Sequence, residues 1–196
     1  MVDVKHLAGK TYSTHNSWRS RGYLHHFNAL ETTQFITCRL FDSLPKDVIC
    51  KLVADKRYSL LNPKKWDRII DRGYGACFLL LPRVAEILQE SFLYHDGKRY
   101  RLHAWVIMPN HFHLLVTLLE DWDLGAVIKN IKSVSAHRAN QLLSRTGKFW
   151  ATEYFDRYIR DSDHYQRVVN YVEQNPVKAG LCQSATDWRF SSAYLG

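Results

Sequence analysis

From residue 34 onward the chain alternates short apolar runs with longer stretches of helical period. Gln34-Phe35-Ile36-Thr37-Cys38-Arg39-Leu40-Phe41 is rich in β-branched and aromatic residues and reads as a strand. Asp42-Ser43-Leu44-Pro45 opens a helical segment over 46–72, broken around Asn62-Pro63. Gly73-Tyr74-Gly75 is a loop without a phosphate-cradle pattern. Pro82 starts a helix carrying Val84, Ile87, Leu88 and Leu93, ended by Asp96-Gly97. Residues 100–108 and 111–118 read as strands with only Pro109-Asn110 between them, hence an antiparallel hairpin. Leu124, Val127, Ile128 and Ile131 recur at helical spacing and predict an amphipathic helix over 124–143. A short strand is expected within 149–159, and Asp161-Ser162-Asp163 caps a helix that ends at Asn175-Pro176. This order of elements predicts an α+β sandwich on an antiparallel sheet. Residues 1–33 are polar, basic and weakly periodic, and read as an irregular arm.

Length changes this picture little: 196 residues suit one core and one domain. The expected division is a basic arm over 1–33, a core over 34–180 and a tail over 181–196. Charge changes it more. Twenty-seven Lys and Arg against 19 acids leave +8, which favours an anionic partner such as nucleic acid. The four cysteines are widely spaced, with no CxxC pair, which excludes a zinc ribbon or a disulfide framework. Residues 1–6 lack the apolar core of a signal peptide, and the longest apolar run, 76–81, is too short to cross a membrane. A cytoplasmic location and no membrane partner are the expectations.

The densest chemical feature is Met108-Pro109-Asn110-His111-Phe112-His113. Alternation along a strand puts His111 and His113 on one side, where two imidazoles are able to grip one divalent ion. Phe112, Leu114 and Val116 then face the core. Half-exposed strand histidines without a ligand would show the same spacing, as would unrelated metallohydrolases. On the last long helix, Tyr165, Val168, Val169 and Val172 form the apolar stripe, so Tyr165 is read as a core tyrosine. Tyr171 falls on the flank shared with His164 and Asn175, and Asn175 stacks one turn beyond it. A phenol with a pKa near 10 attacks a phosphodiester only if the phosphate is held in line and its charge neutralised. A divalent ion on His111 and His113 would do that. Two imidazoles underligate a hard cation, which makes the Asn175 oxygen a sensible third ligand.

At these residues the chain resembles a known group. The stretch His-Ala-Trp-Val-Ile-Met-Pro-Asn-His-Phe-His-Leu-Leu-Val, 103–116, looks like the HUH motif of single-tyrosine transposases. The whole is similar to the REP-associated tyrosine transposases, supported by 34–37, 153–160, 171–180 and 187–192. The resemblance implies a ferredoxin-like sheet with helices packed on one face and a Mg²⁺ or Mn²⁺ ion. It implies catalysis by Tyr171 with His111 and His113, metal held by His111, His113 and Asn175, and a covalent 5′-phosphotyrosine. The implied substrate is single-stranded DNA hairpins of the REP type, cut and rejoined by a monomer or a homodimer.

Tyr154 and Tyr158, within the charged segment 153–160, are the competing nucleophiles. For DNA contacts the candidates are Trp18, Arg19 and Arg21 of the arm, Lys129 and Lys132 on the polar face of the 124–143 helix, and Arg157. Basic residues also interleave with aromatics at 64–66, 98–101 and 145–150, a mixture suited to single strands. His164 is read as a surface histidine. Two other functions compete: a domesticated, non-catalytic protein that recognises repeat hairpins, and a metal-dependent hydrolase of small molecules. Binding alone needs none of His111, His113, Tyr171 and Asn175. The net charge and the lack of nearby carboxylate ligands in sequence disfavour the hydrolase.

Overall fold

The structure is a computed structural model that describes residues 18–20, 25–27, 32–45, 48–50, 69–119 and 122–196. Most of the helix expected over 46–72 and the 64–66 basic cluster lie outside the described residues, as does Arg21.

Within the arm, β1 (Trp18–Ser20) and β2 (His25–Phe27) pair antiparallel, where the sequence had suggested irregular chain. Three-residue strands are too short to show a period, so the pattern is silent about them. The main sheet contains β3 (Thr33–Arg39), β4 (Tyr100–Ile107), β5 (His111–Leu118) and β6 (Phe155–Tyr158). Its order is β4-β5-β3-β6 and every pairing is antiparallel. This is the α+β, ferredoxin-like arrangement expected from the chain. Between β3 and β4 lies α1 (Pro82–His95), and between β5 and β6 lies α2 (Leu124–Leu142). After β6 come α3 (Ser162–Glu173) and the single turn α4 (Asn175–Lys178).

The helices are shared between the two faces of the sheet, in contrast to the one-face expectation. α1 and α2 cover the face formed by Ile36, Cys38, Trp105, Ile107, Phe112, Leu114 and Val116. α3 lies on the opposite face, where Val172 packs with Phe35, Ala104, Val106 and Leu115. An apolar stripe records that a helix face is buried, not which side of a sheet receives it. All seven residues of β3 are buried for this reason, since a central strand covered on both sides has no wet face. Phe112 is fully buried against Phe92 and Trp150, and truncating such a ring costs about 3–5 kcal/mol.

Two connections place the functional residues. Asp42, expected at a helix start, instead accepts the Ala76 N–H through Oδ2 at 2.8 Å and pins the 73–76 loop. Gly75 sits at φ +87°, where a Cβ would lie 2.6 Å from the Asp42 carbonyl oxygen. Beyond α4, Trp188 Nε1 donates to the Ile107 carbonyl, while Ile107 N–H donates to the Phe190 carbonyl and Ser192 N–H to that of Trp105. The 188–192 segment thereby covers the outer edge of β4. No helix among the described residues is long and apolar enough to cross a membrane.

Candidate active site

Register fixes which side chains share the site. His111 pairs with Arg39, His113 with Thr37 and Val106, and Leu115 with Phe35. Directly paired residues point to one face, so the histidines lie on the α3 side of the sheet. Both are fully buried, with ring centroids 4.8 Å apart.

Hydrogen bonds set the proton position on each ring. The amide nitrogen of Asn110 donates to the carbonyls of Ile70 and Tyr74 at 3.0 and 3.1 Å. Its oxygen is therefore left to accept from His111 Nδ1 at 2.9 Å, and Nε2 of His111 keeps its lone pair. On His113, Nε2 faces the Asn175 amide nitrogen at 3.3 Å, and Nδ1 lies 2.8 Å from Thr37 Oγ1. Nε2 of His113 is accordingly an acceptor, and Nδ1 donates to Thr37. Burial keeps both rings neutral: the pKa of His111 falls to about 3 and that of His113 well below its usual value, with the His111 charge a further cause for His113. Neutral imidazoles with a bare Nε2 are the form that binds metal.

α3 delivers Tyr171 to this pair. The Asp161 carboxylate caps the helix by accepting the His164 N–H, and its apolar residues dock on the sheet. The Tyr171 ring meets Phe35 edge-on and lies 5.8 Å from the His113 ring, with Lys178 Nζ 5.0 Å from its centroid. Tyr171 therefore packs against the apolar cluster instead of standing clear of it, while its hydroxyl is buried without a hydrogen-bond partner. Asn175, at the start of α4, is also buried and its side-chain oxygen is equally unpartnered.

A third unpartnered group arrives from a segment the motif does not include. Asp71 Oδ1 is 3.7 Å from His111 Nε2, and neither atom has a hydrogen-bond partner. Burial lifts the Asp71 pKa to about 6. No spacing in the sequence links residue 71 to the histidines; the Asn110 clamp on Ile70 and Tyr74 holds it there.

Buried polar atoms without partners are uncommon and costly, and here four belong to one neighbourhood: His111 Nε2, Asp71 Oδ1, Tyr171 Oη and Asn175 Oδ1. All are able to accept, and three have only lone pairs to offer, which suits a divalent cation. The Asn175 amide presents its nitrogen to His113; a half-turn presents the oxygen in the same place. Among the described residues no three His, Cys, Asp or Glu side chains group as a metal site by themselves, so the set depends on the amide.

The other candidates fare differently. Tyr158 pairs with Gln34, which pairs with Val116, so Tyr158 belongs to the α1–α2 face; Tyr154 packs on that core as well. Neither shares the histidine face. Lys132 donates to the carbonyls of Ala151 and Thr152 at 2.6 and 2.9 Å, a tether between α2 and the chain leading to β6. Lys129 is exposed beside it, on a cavity of about 240 Å³ also lined by Glu153 and Tyr154. Arg157 is exposed on edge strand β6, paired with Phe35 and so on the histidine face. Trp18 and Arg19 lie on β1. His164 is buried, not superficial, and its Nδ1 accepts the Arg160 N–H at 3.3 Å.

Residues 80–175 match the family described as transposase, IS200-like. The REP-associated tyrosine transposase of Escherichia coli K12 is 31% identical over 94 residues, 47% of this chain and 54% of that protein. A relative from Haemophilus influenzae is 29% identical over 99 residues, 45% of this chain and 56% of its own length. The chain thus spans about half the length of the curated relatives it matches. A solved structure of a REP-associated tyrosine transposase bound to a REP hairpin shares the fold, with a TM-score of 0.55 and 21% identity over 85% of this chain and 79% of that one. The chain is thus similar in sequence to the REP-associated tyrosine transposases and, over residues 80–175, to the IS200-like transposases, and it shares the fold of a solved REP-associated tyrosine transposase.

Proposed function

We propose that the protein is a divalent-metal-dependent endonuclease and strand transferase acting on single-stranded DNA hairpins of the REP type. The observation that carries this reading is the unpartnered Tyr171 hydroxyl, buried beside a histidine pair whose Nε2 atoms both hold lone pairs. A binding protein would gain nothing from that arrangement, which leaves hydrogen-bonding capacity unused at a cost.

His111, His113 and the Asn175 oxygen would hold Mg²⁺ or Mn²⁺, which supplies charge neutralisation and orientation of the scissile phosphate. Tyr171 Oη attacks phosphorus. An O–P bond forms as the bond to the 3′ oxygen breaks, leaving a 5′-phosphotyrosine and a free 3′-OH. The phenolic proton is lost and the departing 3′ oxygen takes one up. Attack by a 3′-OH on the phosphotyrosine reverses the sequence and rejoins strands. The packing of Tyr171 against Phe35 and His113 limits its ring to few orientations and so contributes to the in-line placement this step requires. Arg157, exposed on the same face, and Lys129 supply cations for the DNA backbone, and the β1–β2 hairpin with Trp18 and Arg19, followed by Arg21, is the arm proposed to meet the hairpin.

The test is incubation of a labelled DNA hairpin with Mn²⁺ and either the wild type or Tyr171→Phe. The wild type is expected to form an adduct that survives denaturation, and the variant to form none. Removing an unpartnered buried hydroxyl should leave the thermal midpoint unchanged or slightly higher. An adduct that persists in Tyr171→Phe overturns the nucleophile. Hairpin binding by the wild type without any metal-dependent cleavage marks the protein as a non-catalytic reader of repeats.

A further inference from the structure

The Asp71–His111 contact is chemically incomplete. Because Asn110 accepts the Nδ1 proton of His111, the Nε2 that faces Asp71 is an acceptor, and a carboxylate oxygen is an acceptor too. Two acceptors 3.7 Å apart in a buried setting, neither with a partner, repel unless something positive lies between them.

Charge points the same way. His111, His113 and Asn175 are all neutral ligands, whereas Mg²⁺ and Mn²⁺ favour carboxylate oxygen. We propose that Asp71 is a ligand of the divalent cation, completing with His111, His113 and Asn175 a four-residue set and providing its one negative charge. The assignment rests on the metal-dependent reading of the site.

The surrounding residues hold Asp71 in place as a ligand needs. The Asn110 side chain spans both partners: its oxygen orients His111, and its nitrogen holds the carbonyls of Ile70 and Tyr74 on either side of residue 71. One side chain thus ties the HxH strand to the loop bearing the carboxylate, and Asp42 secures the far end of that loop through Ala76.

Direct titration with Mn²⁺, followed by calorimetry or by the electron paramagnetic resonance of free Mn²⁺, tests the assignment without DNA. Asp71→Asn is isosteric and offers His111 Nε2 a hydrogen-bond donor, so it repairs the contact if the role is only structural. Asp71→Ala removes the group. Both are expected to weaken Mn²⁺ binding about 10- to 100-fold. The metal-induced rise in thermal midpoint should shrink with it, while Asp71→Asn in EDTA keeps the wild-type circular dichroism. Wild-type affinity in Asp71→Asn overturns the proposal while His113→Ala, still losing Mn²⁺, leaves the metal reading standing. A wild type that takes up no Mn²⁺ overturns both.

Discussion

Each histidine of the site owes its ligand-ready form to one neighbour, and for His113 that neighbour is Thr37. Thr37 Oγ1 takes the Nδ1 proton at 2.8 Å, leaving Nε2 to face Asn175. Thr37→Val is nearly isosteric but deletes the acceptor, so the imidazole loses its fixed tautomer and orientation. The expected outcome is a 10- to 100-fold loss of Mn²⁺ affinity by titration, with Thr37→Ser recovering most of it. Equal affinity in Thr37→Val would show that packing alone orients His113. Of these residues, the sequence made the histidine pair legible, because a strand's period of two is rigid. Helix phase singled out Tyr171 by setting it off the apolar stripe, but its ring in fact packs on the apolar cluster, and only its hydroxyl is left without a partner. Thr37 and Asp71 were not legible: the first reaches His113 through strand pairing 76 residues distant, the second through a loop. Neither kind of proximity leaves a periodic trace in the chain.

At the scale of elements, the least regular segment carries as much consequence as the strands. The 73–76 loop is held by Asp42 at one end and by Asn110 at the other, and Gly75 fits only because it lacks a Cβ. Gly75→Ala places a methyl group against the Asp42 backbone at an unfavourable positive φ, so loop or turn must shift. A loss of about 1–3 kcal/mol in urea denaturation is expected. Mn²⁺ affinity should fall with it, since Asp71 is carried by the adjoining chain. Gly73→Ala is the comparison: it has positive φ but open space around its Cβ, so strain without collision should cost less. Equal losses in the two variants would show that backbone conformation, not the approach to Asp42, sets the requirement. Glycines at 73 and 75 marked a loop in the sequence, but its partner in the 42–43 turn is a tertiary fact. The same limit explains the helices. The three long helices from 82 onward followed from apolar spacing, but the single turn α4, which starts where the last of them was expected to end, did not, and the division of α1 and α2 from α3 across the sheet depends on connections that no stripe encodes.

For the molecule as a whole, burying so many imidazoles fixes how stability responds to acid. In metal-free protein His111 titrates at about 3 when folded and at its ordinary 6.5 when unfolded. As pH falls, the unfolded chain takes the proton first, so stability from this group is complete above 6.5 and drains away toward pH 3. His113, His95, His103 and His164 shift in the same direction, desolvation being the largest cause for each. Asp71 opposes them. Its folded value of about 6 lies above the usual 3.8, so its contribution is present below 3.8 and is lost as pH rises through 6. Between about pH 4 and 6 the lowered histidines outweigh Asp71, so the unfolded chain binds the extra protons and stability rises with pH. Urea midpoints in EDTA should therefore fall steadily from pH 6.5 to pH 4.5. Asp71→Asn, which removes only the opposing group, should steepen that fall. A flat profile, or one rising toward acid, would mean that the two imidazoles are charged in the fold and unable to act as metal ligands. With saturating Mn²⁺ the protein should be more stable at neutral pH and decline more sharply below it, because binding requires every ligand to be unprotonated.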